Sequence, residues 1–132
     1  MKYLVDTHIF LWSILSPKKI SKSVKDILLD SQVSKYVSAI TFWEISLKYQ
    51  LGKIDLKGVL SDQLPEIAKD SGFEILDLNA DTAASFYKLP KMPNKDPFDR
   101  MLAWQAIDKD FHLLTKDQDL ADYKDHGLKI VW

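Results

Sequence analysis

The sequence predicts an α/β fold, with a central parallel sheet covered by helices on both faces. Short apolar runs of strand length alternate along the chain with longer segments whose apolar residues recur at helical spacing. No internal repeat, low-complexity segment or domain linker interrupts that alternation, and 132 residues suit one domain spanning 1–132. In sheets of this kind the site lies beyond the carboxyl ends of the strands.

Each element has its own signal. KYLV (2–5) reads as a short buried strand, and IFLWSIL (9–15) as a helix that stops near Ser16-Pro17. Ser21 is a good N-cap for a helix running to about Asp30, with Val24, Ile27 and Leu28 on one face. Residues 36–38 read as a second strand. Thr41 opens the strong helix TFWEISLKYQLG, which Gly52 closes, and residues 53–60 form a connection containing Gly58. A further helix runs from about Ser61 to Ser71, closed by Gly72, and FEILDL (73–78) is a strand. Residues 81–89 are helical. The three prolines of LPKMPNKDP (89–97) mark a loop. Residues 96–110 form a helix, and HLLT (112–115) and KIVW (129–132) are the last strands.

Composition narrows the function classes. Hydrophobic residues make up 46% of the chain, enough for a packed core. No apolar run approaches the roughly 20 residues that span a membrane, and Asp6 and His8 interrupt any signal-peptide pattern, so a cytoplasmic location is expected. The absence of cysteine excludes disulfides, thiolate zinc sites and cysteine nucleophiles. The net charge of −1 provides no global basic field, so a nucleic-acid partner would need a local patch. No GxGxxG or Walker loop is present.

Four acids stand apart from the rest. LVDTHIFLW (4–12) places Asp6 inside an apolar run, where an unpaired carboxylate is costly. Glu44 follows the second strand, Asp99 lies in the first turn of the 96–110 helix, and Asp117 follows HLLT. Each has a local structural explanation. Thr41 to Glu44 matches the capping box T-x-x-E. Asp96-Pro97-Phe98-Asp99 matches an N-cap, a proline at the first helical position and an acid near the helix dipole. Asp6 can cap the helix after it, and Asp117 with Asp119 can be turn chemistry.

Helical geometry weakens two of these explanations. At roughly 100° per residue, Leu102, Ala103, Ala106 and Ile107 lie within about 80° of Asp99, in an arc that faces the core. Leu47 and Leu51 likewise share the side of Glu44, with Lys48 at i+4 as an ion-pair partner. Converging carboxylates raise one another's pKa, and a divalent cation removes the conflict. Mg²⁺ and Mn²⁺ prefer oxygen ligands, and one or two such ions suit phosphodiester cleavage.

VDTHIFLW, FWEISLKYQLGK, DPFDRMLAWQA and LLTKD, in this order, resemble a PIN-domain nuclease and, more narrowly, the VapC-type toxins of bacterial toxin–antitoxin pairs. The resemblance covers nearly the whole chain. It implies a single PIN-like domain, a Rossmann-like α/β/α sandwich. It also implies an Mg²⁺- or Mn²⁺-dependent endoribonuclease whose products carry 5′-phosphate and 3′-hydroxyl ends. Asp6, Glu44 and Asp99 match the family's first three acids by position. Asp117 matches the more variable fourth, with Asp119 its competitor. Thr7 and Thr115 match positions where a hydroxyl supports the site. The family forms homodimers silenced by an antitoxin that covers the acidic groove. Two departures bear on substrate choice and helix packing: Asn94-Lys95 stands where relatives often have a His-Arg pair, and Trp104 where a small residue is common.

Other positions have two readings each. His8 can touch substrate or metal, or be a structural histidine. Lys48 and Arg100 can contact phosphate, or pair with a site acid. Asp96 can support the site, or only cap its helix. Lys18, Lys19, Lys22 and Lys25 read as a solvated face, with a backbone-contact patch as the alternative. Phe42, Ile45 and Tyr49 form a second stripe that reads as core, with a dimer surface or antitoxin groove as alternatives. Two rival functions remain: a catalytically inactive PIN-like binding module, and a receiver-like phosphoacceptor. The receiver needs an acid pair at the end of strand one, and Asp6 has no acidic neighbour.

Overall fold

The computed structural model of the chain describes residues 1–93 and 96–132. The departure at Asn94-Lys95 lies outside the described residues. Five strands, β1 (Lys2–Val5), β2 (Ser34–Ser38), β3 (Glu74–Leu76), β4 (His112–Leu114) and β5 (Lys129–Val131), form one sheet in the order β3-β2-β1-β4-β5. Every neighbouring pair is parallel, with Val5 opposite both Val37 and Leu114. The chain builds outward from β1 in one direction through β2 and β3, then returns to its other side with β4 and β5. The strand order therefore reverses between β1 and β4, and a crevice opens there at the carboxyl ends.

Among the described residues, six α-helices cover the sheet: α1 (Thr7–Leu15), α2 (Lys22–Leu29), α3 (Ala39–Gln50), α4 (Leu64–Asp70), α5 (Ala80–Ala84) and α6 (Pro97–Lys109). Side chains alternate across the strands, as the period of two requires. Tyr3, Val5, Val37 and Leu114 join a core with Ile9 and Phe10 of α1, Val24 of α2, Ile45 of α3, and Leu64 and Ala68 of α4. Leu4 and Leu113 join a second core with Leu102, Ala103 and Ala106 of α6 and with Leu120 and Tyr123. Burial on both faces explains why the strands read as short apolar runs rather than as polar–apolar alternation.

Several boundaries differ from the expected ones. α1 starts at Thr7, because Asp6 caps it by accepting the Ile9 N–H. α3 starts at Ala39 rather than Thr41, since the Ser38 hydroxyl already accepts the Ile40 N–H. β2 begins at Ser34, because Lys2 and Tyr3 of β1 pair with Ser34 and Lys35. The 61–71 segment opens with a 3₁₀ turn, Ser61–Gln63, before α4. Residues 81–89 divide into α5 and a 3₁₀ turn, Phe86–Lys88. α6 ends one residue early, with Asp110 in the left-handed region at φ 59°. Gly52 and Gly72 do end their helices with positive φ. The segment from Gln118 to His126 forms a run of 3₁₀ turns.

Candidate active site

The end of β1 delivers Asp6 to the crevice, and each of its carboxylate oxygens is engaged. Oδ1 accepts the Ile9 N–H at 2.8 Å, and Oδ2 accepts the hydroxyl of Thr115, the residue that follows β4. The Asp6 amide donates to the Leu114 carbonyl at 3.0 Å, which locks the two strand ends together. The N-cap explanation of Asp6 is therefore correct, but it accounts for one oxygen only. Burial raises the Asp6 pKa. The bonds from Thr115 and Ile9, with the His8 charge, oppose the rise, and Asp117 adds to it.

Glu44 has lost its capping-box explanation. With α3 starting at Ala39, Thr41 and Glu44 both sit inside the helix. The Thr7 hydroxyl donates to Glu44 Oε1 at 2.7 Å and lies 3.1 Å from the Thr41 hydroxyl. Glu44 Oε2 accepts from Lys48 at 2.5 Å. The buried stripe of α3 is Ile40, Thr41, Glu44 and Ile45. Leu47 and Leu51, expected on the buried side with Glu44, are 38% and 58% exposed. Ile45 is buried, and Phe42 packs edge-on against Phe10 at 5.6 Å, so both belong to the core; Tyr49 is exposed.

Asp99 enters from the first turn of α6. Asp96 is the cap there, accepting the N–H groups of Phe98 and Asp99, so it acts on the site by holding the helix start. Among the described residues, no hydrogen bond or ion pair meets the Asp99 carboxylate. Burial, and then the charges of Asp96, Glu44, Asp117 and Asp6, push its pKa up to about 7. Asp117 completes the set. Its amide is held by Thr115 Oγ1 at 3.0 Å, and its carboxylate accepts the Asp119 N–H at 2.9 Å, so turn chemistry and site placement coexist. Asp6, Asp99 and Asp117 line one hollow of about 260 Å³ with His8, Trp12 and Lys116. Asp119 is exposed and does not line it.

The basic candidates separate. Lys48 stands with the acids. Burial works against its charge, but the hydrogen bond and charge of Glu44, with Asp96 and Asp99 beyond, hold its pKa above the ordinary value. Arg100 makes no pair with a site acid among the described residues. Its Nε donates to the Tyr123 hydroxyl at 3.3 Å, and its guanidinium lies 4.9 Å from the Phe86 ring. Trp104 is half-buried, and its Nε1 donates to the Thr82 carbonyl at 3.0 Å, which ties α6 to α5. Lys22 pairs with Asp26 at the surface, while Lys19 Nζ lies over the Trp12 ring.

Among the described residues, no three acidic or histidine side chains close tightly enough to form a ready cage for an ion. The donor set still suits a hard divalent cation. It is all oxygen, and after burial the charges of the neighbouring acids also raise the pKa of Asp99, a conflict that a cation would relieve.

The family model described as PIN domain matches residues 3–125, from β1 into the last 3₁₀ turns. The chain belongs to the PIN domain family. That membership sets aside the receiver-like reading. Across 129 residues this PIN domain is 24% identical to ribonuclease VapC22 of Mycobacterium tuberculosis, a match covering 98% of this chain and 97% of the relative. Its fold superposes on VapBC2 from Rickettsia felis bound to a promoter DNA fragment, with a TM-score of 0.70, 21% identity and coverage of 100% and 99%. VapBC-1 from nontypeable Haemophilus influenzae matches at a TM-score of 0.67 and 19% identity, covering 99% and 97%. The Rossmann-like α/β/α sandwich is thus the observed architecture. No helix among the described residues is long and apolar enough to cross a membrane.

Sequence reasoning missed three residues beside the acids. Trp12, Lys116 and Trp132 cluster there, with Lys116 Nζ 5.9 Å and 5.8 Å from the two ring centres. The i, i+4 spacing of His8 and Trp12 was readable. Trp132 reaches the cluster only because β5 pairs with β4.

Proposed function

We propose that this PIN domain is a metal-dependent endoribonuclease, the toxin of a type II toxin–antitoxin pair, acting as a homodimer in the cytoplasm. The observation that carries this reading is the meeting of Asp6, Asp99 and Asp117, from three separated parts of the chain, around one hollow at the strand-order reversal. The names of the ribonuclease relative and of the toxin–antitoxin neighbours support the substrate and the partner.

Asp6, Asp99 and Asp117, with Glu44 beside them, would hold one or two Mg²⁺ or Mn²⁺ ions. Bound there, the metal supplies Lewis-acid charge at the phosphoryl oxygens and lowers the pKa of water. The chain's own residues position and tune. Thr115 and the Ile9 amide keep Asp6 in one orientation, and Thr7 does the same for Glu44. Lys48 keeps a positive charge against the acids where phosphate would arrive. Asp117 is the fourth acid in this reading, and Asp119 only shapes its turn.

The test is cleavage of total RNA by purified protein with Mg²⁺ or Mn²⁺, with EDTA, and with Asp99→Asn checked for folding by circular dichroism. Metal-dependent cleavage into 5′-phosphate products, lost in the folded variant, is the expected result. An Asp99→Asn variant that cuts at the wild-type rate would refute the site. Folded protein that cuts nothing under either metal, free of inhibitor, returns the chain to the inactive binding-module reading.

A further inference from the structure

Half of the lining of the acidic hollow is not acidic. His8 and Trp12, one turn apart on α1, stand next to each other with ring centres 5.9 Å apart, and Trp132 lies 6.2 Å beyond Trp12. Lys116 Nζ is held over both indoles, and Lys19 Nζ lies 5.9 Å from the Trp12 ring centre. His8, Lys116 and Lys19 are exposed, while Trp12 and Trp132 are half-buried against the core. The indoles are thus packed against the core on one side, and on the other they are overlaid by lysine side chains that are themselves exposed and free to swing aside for a base. None of these side chains is used by the acids or their hydroxyl supports, apart from the charge of His8 near Asp6.

We propose that this ledge is a subsite for an unpaired nucleotide of RNA adjoining the cleaved phosphodiester. The proposal rests on the nuclease reading and adds the side chains of this chain that would hold the strand beside the acids. A base offers a flat π face whatever its sequence, and a rigid tryptophan or histidine ring stacks on it. Its phosphate is an anion that must pass a row of carboxylates, and Lys116, on the rim of the same hollow, offers the charge to meet it. The chain carries −1 net charge, so no global field attracts RNA and a local hold of this kind is required. Bases inside a duplex are already stacked on their neighbours and cannot lie on the ledge, so the subsite selects single-stranded RNA. A protein segment would also use the indoles. However, the mixture of π faces with cations at the edge of a carboxylate cluster is the complement of one nucleotide.

Binding is measured in an Asp99→Asn background with Mg²⁺, by fluorescence anisotropy of a labelled ten-nucleotide single-stranded RNA of mixed sequence and of its duplex. Trp12→Ala should weaken single-strand binding about tenfold or more, and Trp12→Phe should recover most of it. Lys116→Gln should weaken binding and reduce the slope of log affinity against log salt by about 0.7. The duplex should lose little with Trp12→Ala. Cleavage by the chain with Asp99 intact is scored in parallel. If Trp12→Ala, folded by circular dichroism, and Lys116→Gln both bind the single strand as the parent does, the ledge proposal is overturned, whether or not the protein cuts RNA. Cleavage persisting in that case leaves the nuclease standing and gives the ledge to another occupant, such as a protein. Loss of single-strand binding without cleavage in the intact chain sinks the nuclease, and with it the ledge as a subsite beside a cleaved bond, leaving only a site that binds unpaired RNA.

Discussion

At the scale of single residues, Asp99 is a site carboxylate whose protonation is shifted into the neutral range. Its pKa stands near 7 because burial disfavours its charged form and, after that, because ionising it adds a charge beside Asp96, Glu44, Asp117 and Asp6. The sign of its effect on stability follows. In the unfolded chain Asp99 titrates near about 3.9, so between roughly pH 4 and pH 7 the native state holds a proton that the unfolded state has released. Native stability from this group is full at low pH and is lost as pH rises to about 7. The difference in pKa corresponds to about 4 kcal/mol, and partial exposure to water reduces it to about 1–2 kcal/mol. Asn at this position carries no charge. In EDTA, Asp99→Asn should therefore be more stable than the parent by about 1–2 kcal/mol at pH 8 and about equal at pH 4. Urea unfolding at the two pH values measures this. A variant no more stable than the parent at pH 8 would mean that neither burial nor the neighbouring acids burden the Asp99 charge.

At the scale of elements, the α3 junction shows what was legible and what was not. The apolar runs announced β1, β2 and β4, and the Asp96-Pro97 start announced α6 within a residue. The start of α3 was misplaced because Ser38, Thr41 and Glu44 all carry cap chemistry, and only the strand register reveals which is used. Ser38 is taken because β2 ends on it. Its hydroxyl accepts the Ile40 N–H and donates to Gln105 Oε1 of α6 at 2.6 Å. That fully buried pair joins the helix carrying Glu44 to the helix carrying Asp99. Ser38→Ala removes a cap and leaves a buried amide oxygen without its donor, so it should cost about 2–3 kcal/mol in urea unfolding. The replacement pair Ser38→Ala with Gln105→Leu should recover part of that loss. Equal losses in the single and double variants would show that Gln105 contributes nothing to the junction.

At the scale of the whole molecule, the acids have positions 6, 44, 99 and 117, and only the sheet order brings them together. The i, i+4 spacing already offered Lys48 to Glu44, and the structure keeps that pair; what the sequence could not show is that Arg100 would turn to Tyr123 and Phe86, or that Trp132 would return to the cluster beside the acids. Those outcomes depend on which strand lies beside which. The same separation would make the proposed metal binding a property of the folded chain alone, because an unfolded chain scatters its acids too widely to chelate. Binding then stabilises the native state by mass action, about 2.7 kcal/mol at a hundred times the Kd. For a domain of this size, that should raise Tm by roughly 10 °C. A thermal scan with Mn²⁺ against EDTA should show the rise in the parent, most of it lost in Asp99→Asn and little of it lost in Asp119→Asn. Equal rises in all three proteins would place the cation away from the hollow. No rise at saturating metal would mean that the repulsion around Asp99 is relieved by protons and Lys48 alone.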